Sequence, residues 1–137
     1  MAKTYTCPFA QTPRTGTAVV TAATANINSD APTNLSLIAT AGADGAIVTR
    51  IWAMPRGTVS ASSLLLFIAG ADGAIRLIDS EAMPSYAASA SAALPETPFA
   101  NYSEAAPIRL AAGDKLYVGS QVANTSGICF RVEWTDF

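Results

Sequence analysis

The heptapeptide AGADGAI stands at Ala41–Ile47 and again, letter for letter, at Ala69–Ile75. Asp-Gly between two apolar runs is a strong turn signal, because glycine adopts positive φ without steric cost and aspartate tolerates it. Both copies have such runs around them: LSLIAT (35–40) and IVTRIWAM (47–54) flank the first, LLLFIA (64–69) and AIRLID (74–79) the second. Each copy therefore predicts a tight hairpin, with Asp44-Gly45 or Asp72-Gly73 at its tip. A cation-binding role for Asp44 and Asp72 fails on ligand count, since a calcium loop needs several carboxylates in register and each copy supplies one. The likeness ends outside the heptapeptide, so the chain does not read as a repeat array.

The remaining apolar residues mostly follow the two-residue period of strands. TAVVTAAT (17–24), IRL (108–110), DKLYVGSQV (114–122) and ICFRVEWTDF (128–137) join the four runs above, separated by the loops ANINSDAPTN, RGTVSASS and PETPFANYSEAAP. In the last run Ile128, Phe130, Val132 and Trp134 fall on one face and Cys129, Arg131, Glu133 and Thr135 on the other, which assigns the first set to the core. LLLFIA has no alternation, as suits a central strand covered on both sides. SEAMPSYAASASAAL (80–94) is rich in alanine but interrupted by Pro84, and predicts a short helical turn near 80–84, then a strand over Tyr86–Ala92. Eight to nine short strands predict a single all-β domain, an antiparallel β-sandwich of jelly-roll-like type, over residues 17–137. Residues 1–16 read as an extended N-terminal arm, because Pro8 and Pro13 cannot donate to a sheet ladder, and such an arm either orders against a neighbouring subunit or completes its own sandwich as an edge strand. A chain of 137 residues is of ordinary single-domain size.

Composition narrows the chemistry. Half of the residues are hydrophobic and 13% are charged, a balance that folds rather than stays disordered. A net charge of −2 offers no field for a phosphate backbone, so nucleic acid is not an expected partner. No apolar run approaches the roughly 20 residues that span a bilayer, and MAKTYTCPFAQTPRT lacks the core of a signal peptide; a soluble, cytosolically made product without a membrane partner is expected. The chain has no histidine, which removes the commonest general base and metal ligand. It carries no nucleophile elbow and no phosphate-binding glycine loop, and its carboxylates sit mostly at turns and strand ends. Cys7 and Cys129 lack zinc-site spacing and, in a reducing compartment, read as thiols, although Cys129 on the non-core face could meet Cys7. The chain thus reads as neither enzyme nor cofactor or metal binder.

Aromatic residues are the other candidates for function. Trp52 and Trp134 lie inside strands and read as core rather than as sugar-stacking platforms. Tyr5, Phe9, Phe99 and Tyr102 lie in Pro-bounded irregular segments, where each either tucks against its own domain or anchors an interface. With the arm cations Lys3 and Arg14 they form the candidate partner-binding set.

Several stretches together carry a resemblance: the Ala/Thr-rich first strand, IVTRIWAMPRGTVSASSLLLFIA, IRLIDS, PIRLAAGDKLYVGSQV and the aromatic C-terminal strand. Over most of its length from about residue 17, the chain resembles small virion proteins of tailed bacteriophages and prophages. RLAAGDKLYVG is similar to the L-x-x-G-D-x-L-x-V hairpin of many viral and trimeric β-sandwich modules, with Gly113-Asp114 as its turn and Leu116 and Val118 returning to the core. The resemblance implies a capsid decoration or cement protein, made in the host bacterial cytoplasm and bound to the major capsid protein on the capsid exterior. It also implies a homo-oligomer, with a trimer favoured, that stabilises the shell by bridging neighbouring subunits. The alternative is a head or tail fibre module that recognises host-surface carbohydrate, although fibre proteins usually add a stalk or attachment domain for which this chain has no room.

Overall fold

The structure, a computed structural model, describes residues 10–137, which form nine strands and, among the described residues, no helix. The strands are β1 (Thr12–Val20), β2 (Ser36–Thr40), β3 (Ala46–Pro55), β4 (Ser62–Ala69), β5 (Ile75–Met83), β6 (Thr97–Pro98), β7 (Ile108–Leu110), β8 (Lys115–Ser120) and β9 (Ile128–Asp136). They pair into two antiparallel sheets, the all-β sandwich that the strand pattern predicts. The first runs β1-β9-β3, with β7 and β6 side by side along the far edge of β3, and the second runs β2-β8-β4-β5.

The core lies between the sheets. Ile128, Phe130 and Val132 of β9 are fully buried as their parity requires, and they meet Leu64 and Leu66 of β4 and Leu116 and Val118 of β8 in one cluster. On β3 the inward set changes parity, from Ala46 and Val48 to Ile51, Ala53 and Pro55, because the pairing with β9 slips by one residue between Val48 and Arg50. An extra residue in one strand turns every later side chain to the opposite face. Trp52 is thereby carried out of the core to the outer face of the sheet.

The two copies of the heptapeptide make the same turn and different connections. Gly45 donates its N–H to the Gly42 carbonyl at 3.2 Å and Gly73 to that of Gly70 at 3.1 Å, with φ of +88° and +77°. The second copy joins β4 to β5, neighbours in one sheet, and is a hairpin as predicted. The first is not a hairpin: it carries the chain from β2 in one sheet to β3 in the other. The turn at Gly113-Asp114 also corrects the hairpin expectation, since β7 lies in the first sheet and β8 in the second, although Leu116 and Val118 do return to the core. Turn chemistry reverses the chain locally, and the apolar faces on either side choose the sheet.

Three further expectations are corrected. Residues 80–83 are strand, not helical turn, because β5 pairs with β4 from Ile75 through Met83 and this ladder overrides alanine's helix propensity. The strand expected over Tyr86–Ala92 reduces to a single bridge between Tyr86 and Val59, followed by a turn. The first strand starts at Thr12 rather than at residue 17: Thr12–Gly16 pair with Val132–Asp136, and Pro13 is accommodated because β1 is an edge strand.

The central position of LLLFIA is real, and a loop supplies half of its cover. Leu65 and Phe67 lie outside the inter-sheet cluster yet are 1% and 0% exposed. The β1–β2 loop is bonded to β8, where Thr24 N–H reaches the Ser120 carbonyl at 2.8 Å, and to β5, where the Asp30 carbonyl accepts from Ile75 N–H at 3.0 Å. Because β4 lies between β8 and β5, the loop crosses over Leu65 and Phe67. Gly119 permits the approach, since a Cβ there would collide with the Thr24 side chain.

Candidate functional site

The outer face of the first sheet carries rows of side chains set by the strand register. Val19, Cys129 and Met54 stand in one register row across β1, β9 and β3, and Thr17, Arg131 and Trp52 form a neighbouring row. Val19 and Met54 are exposed and Cys129 is half-buried. Trp52 is only 9% exposed although it faces outward, because two arginines cover it. The Arg50 guanidinium carbon lies 3.9 Å from the centre of the indole and that of Arg131 5.0 Å. Carboxylates hold both cations: Glu96 accepts from Arg50 at 2.8 Å, and Glu133 lies 3.8 Å from Arg131. Positive charge over an aromatic ring is attracted by its quadrupole, so the Trp52 ring is already engaged within the chain.

A second feature is an open cleft of about 480 Å³ where the edges of β1 and β2 approach, lined by Arg14, Thr15, Leu37, Thr40, Trp134 and Asp136 among others. The Asp136 carboxylate is buried there and fully engaged. One oxygen accepts from Gly42 N–H at 3.0 Å and the other from Arg14 Nε at 3.1 Å. Trp134 packs against the core, and its indole N–H is buried without a hydrogen-bond acceptor among the described residues. A smaller open cleft of about 360 Å³ beside β6 is lined by Arg50, Phe99, Tyr102, Glu104 and Glu133 among others. The Tyr102 hydroxyl is held above its usual ionisation range, first by burial and then by the charge of Asp79.

The candidate partner-binding residues do not converge. Phe99 is core, 1% exposed with its ring centre 6.5 Å from that of Phe130, so it is no interface anchor. Its backbone N–H is bonded to the Ile51 carbonyl at 2.9 Å, which draws the irregular segment inward. Tyr102 packs partly buried beside it in the smaller cleft, and Arg14 sits at the opposite edge of the sheet, tied to Asp136. Lys3, Tyr5, Cys7 and Phe9 lie outside the described residues. The turn residues sit in turns: Asp72 caps Ala74 N–H at 3.2 Å and pairs with Arg76, and Asp114 accepts from Ala111 N–H at 3.0 Å. Asp44 is exposed at the tip of the sheet-crossing turn.

Sequence reasoning missed the Arg50–Trp52–Arg131 stack and the buried Asp136. Their cross-strand neighbours become visible only once the slip in β3 and the register of β9 are known. Among the described residues no three His, Cys, Asp or Glu side chains are grouped to hold a metal ion. No family model matches the chain, and neither a curated protein nor a solved structure matches it.

Proposed function

We propose that the chain is a structural virion protein, a jelly-roll sandwich that decorates the outside of a tailed-phage capsid as a homotrimer, bound to the major capsid protein. The resemblance of its strands and of RLAAGDKLYVG to small virion proteins supports this. The strand order supports the jelly-roll reading: β1-β9-β3-β7 faces β2-β8-β4-β5, so the chain crosses between the sheets from β1 to β4 and again from β7 to β9, with β4–β5 the one hairpin within a sheet. Capsid domains and lectins both use jelly rolls, and fold alone does not choose between them. The observation that carries the choice is Trp52. A sugar platform needs an open aromatic face, and here two guanidiniums occupy it. What remains outside is an uneven surface of apolar and charged groups, suited to a protein partner.

The experiment is to identify the genes on either side, assemble shells from a neighbouring major capsid gene, and co-sediment them with the purified chain. Saturable binding that raises the melting temperature of the shell is the expected result. Shells that leave the chain in the supernatant overturn the reading.

One observation favours the alternative, host-carbohydrate recognition. Trp134, whose N–H has no acceptor among the described residues, lines the β1–β2 cleft together with Arg14 and Asp136. A glycan panel read out through the Trp134 indole resonance tests it, with Trp134→Phe as the control.

A further inference from the structure

We propose that residues 1–9 of one copy of the chain dock as an added strand in the β1–β2 cleft of a second copy. The two sides of the sandwich are built differently. On one, β6 and β7 line the edge of β3, and the segment after β6 bonds to β5 through Ala100 N–H to the Glu81 carboxylate and Asn101 Nδ2 to that of Asp79. On the other, β1 and β2 are the terminal strands of their sheets, and no backbone hydrogen bond joins them among the described residues. They touch where a Cβ on Gly16 would collide with the Ile38 carbonyl, and the open cleft lies beside that contact.

The cleft presents what an incoming strand can use. Terminal strands offer backbone donors and acceptors to a further strand. Leu37, which lines the cleft, is 48% exposed, the most exposed of the large apolar side chains among the described residues. Trp134 lines it too, with a buried indole N–H that has no acceptor among the described residues, and a backbone carbonyl of an extended segment supplies one. Arg14 and Asp136 are paired with each other there, so the cleft selects by apolar contact and backbone bonding rather than by charge.

Residues 1–9 match these features. The described chain begins at Ala10, and Gln11 N–H bonds to the carbonyl of Asp136, itself a lining residue, so the nine residues start at the end of the sandwich that holds the cleft. In MAKTYTCPF the odd positions are Met1, Lys3, Tyr5, Cys7 and Phe9 and the even ones Ala2, Thr4, Thr6 and Pro8, a large–small alternation that predicts a strand with Tyr5 and Phe9 on one face. Fully extended, such a segment spans about 30 Å, enough to reach a neighbouring domain. A return to its own cleft would need a tight reversal, yet residues 7–11 contain no Gly, Asn or Asp, and Gln11 still extends the β1 ladder. Segment and cleft are unlike surfaces, so each copy gives one and receives one, and a closed ring of copies fills every cleft. The inference rests on the homo-oligomer in the proposed function and not on the capsid, which the co-sedimentation above tests separately.

Sedimentation velocity of the full chain under reducing conditions, from about 1 μM to about 1 mM, should show concentration-dependent association. A segment variant, Tyr5→Asp with Phe9→Asp, and a cleft variant, Leu37→Asp, should each weaken it by about tenfold or more. Mixed in equal amounts, the two should form a one-to-one dimer and nothing larger, because one keeps the cleft and the other the segment. In the isotope-labelled segment variant, the Trp134 indole resonance should move when the unlabelled cleft variant is added and stay in place when more segment variant is added. Circular dichroism and thermal melting report whether each variant folds, and Thr40→Arg, at another exposed lining residue, replaces Leu37→Asp if that chain does not. An association that neither variant weakens, or a mixture that stays monomeric, overturns the proposal. So does a wild-type chain that stays monomeric throughout, and a Trp134 resonance that the Tyr5 and Phe9 changes nonetheless move in that monomer would place the segment in its own cleft.

Discussion

Trp52 on β3 and Arg131 on β9 are direct cross-strand partners, and the guanidinium of Arg131 lies 5.0 Å from the indole centre while that of Arg50, on β3 with Trp52, lies at 3.9 Å. A large aromatic displaced to an outer face by a register slip is thus kept from water by two cations rather than by a second layer of protein. Arg50→Ala should therefore destabilise by about 0.5–1 kcal/mol, the range of half-exposed cation–π pairs, and Arg131→Ala by less because it sits farther away. Chemical denaturation of Arg50→Ala, Trp52→Phe and the double variant measures the coupling. Strictly additive effects would show that the stack contributes nothing.

The two copies of AGADGAI should respond differently to one substitution. Gly73 is exposed with nothing near its Cβ position, so Gly73→Ala should cost about 1 kcal/mol, from positive φ alone. At Gly45 an added Cβ would also stand 2.5 Å from the Leu110 carbonyl oxygen, a backbone atom. Gly45→Ala should cost about 2–4 kcal/mol. Equal losses in urea unfolding would contradict the difference in surroundings.

Asp136 and Arg14 form an ion pair whose halves are unequal. The aspartate side chain is 10% exposed and the arginine 57%. Arg14→Ala should cost at most about 1 kcal/mol, as for surface pairs. Asp136→Ala should cost about 1–3 kcal/mol, because it strips the acceptor from the Gly42 N–H beside the sheet-crossing turn. Melting temperatures of the two variants compare the losses directly.

Tyr102 links stability to alkaline pH. Burial, and then Asp79, raise its ionisation above the ordinary value of 10.0 in the folded chain. Folding therefore favours the protonated phenol. The associated stability is fully present below pH 10 and is lost as pH rises through the higher folded value. Tyr102→Phe should flatten the decline in unfolding free energy above pH 10, measured by denaturant titration at a series of pH values. An unchanged slope would remove Tyr102 as its source.

The sequence by itself determined the features that a few neighbouring residues settle. Gly45, Gly73 and Gly113 take positive φ in turns because glycine does so without steric cost, and the alternation from Ile128 to Val132 places Ile128, Phe130 and Val132 in the core. It also determined that the architecture is all-β, since short apolar runs between turns have a sheet as the place to bury one face. Tertiary structure decided which strands those turns connect. The same seven residues close a hairpin at Gly73 and cross between sheets at Gly45, because the apolar faces of β2 and β3 are buried in different sheets. It decided too that residues 80–83 are strand, that Phe99 is core, and that Trp52 faces outward under two arginines. Each of these depends on pairing with residues far along the chain, and the free energy of burying those faces together exceeds the local preferences that can be read from neighbours in sequence.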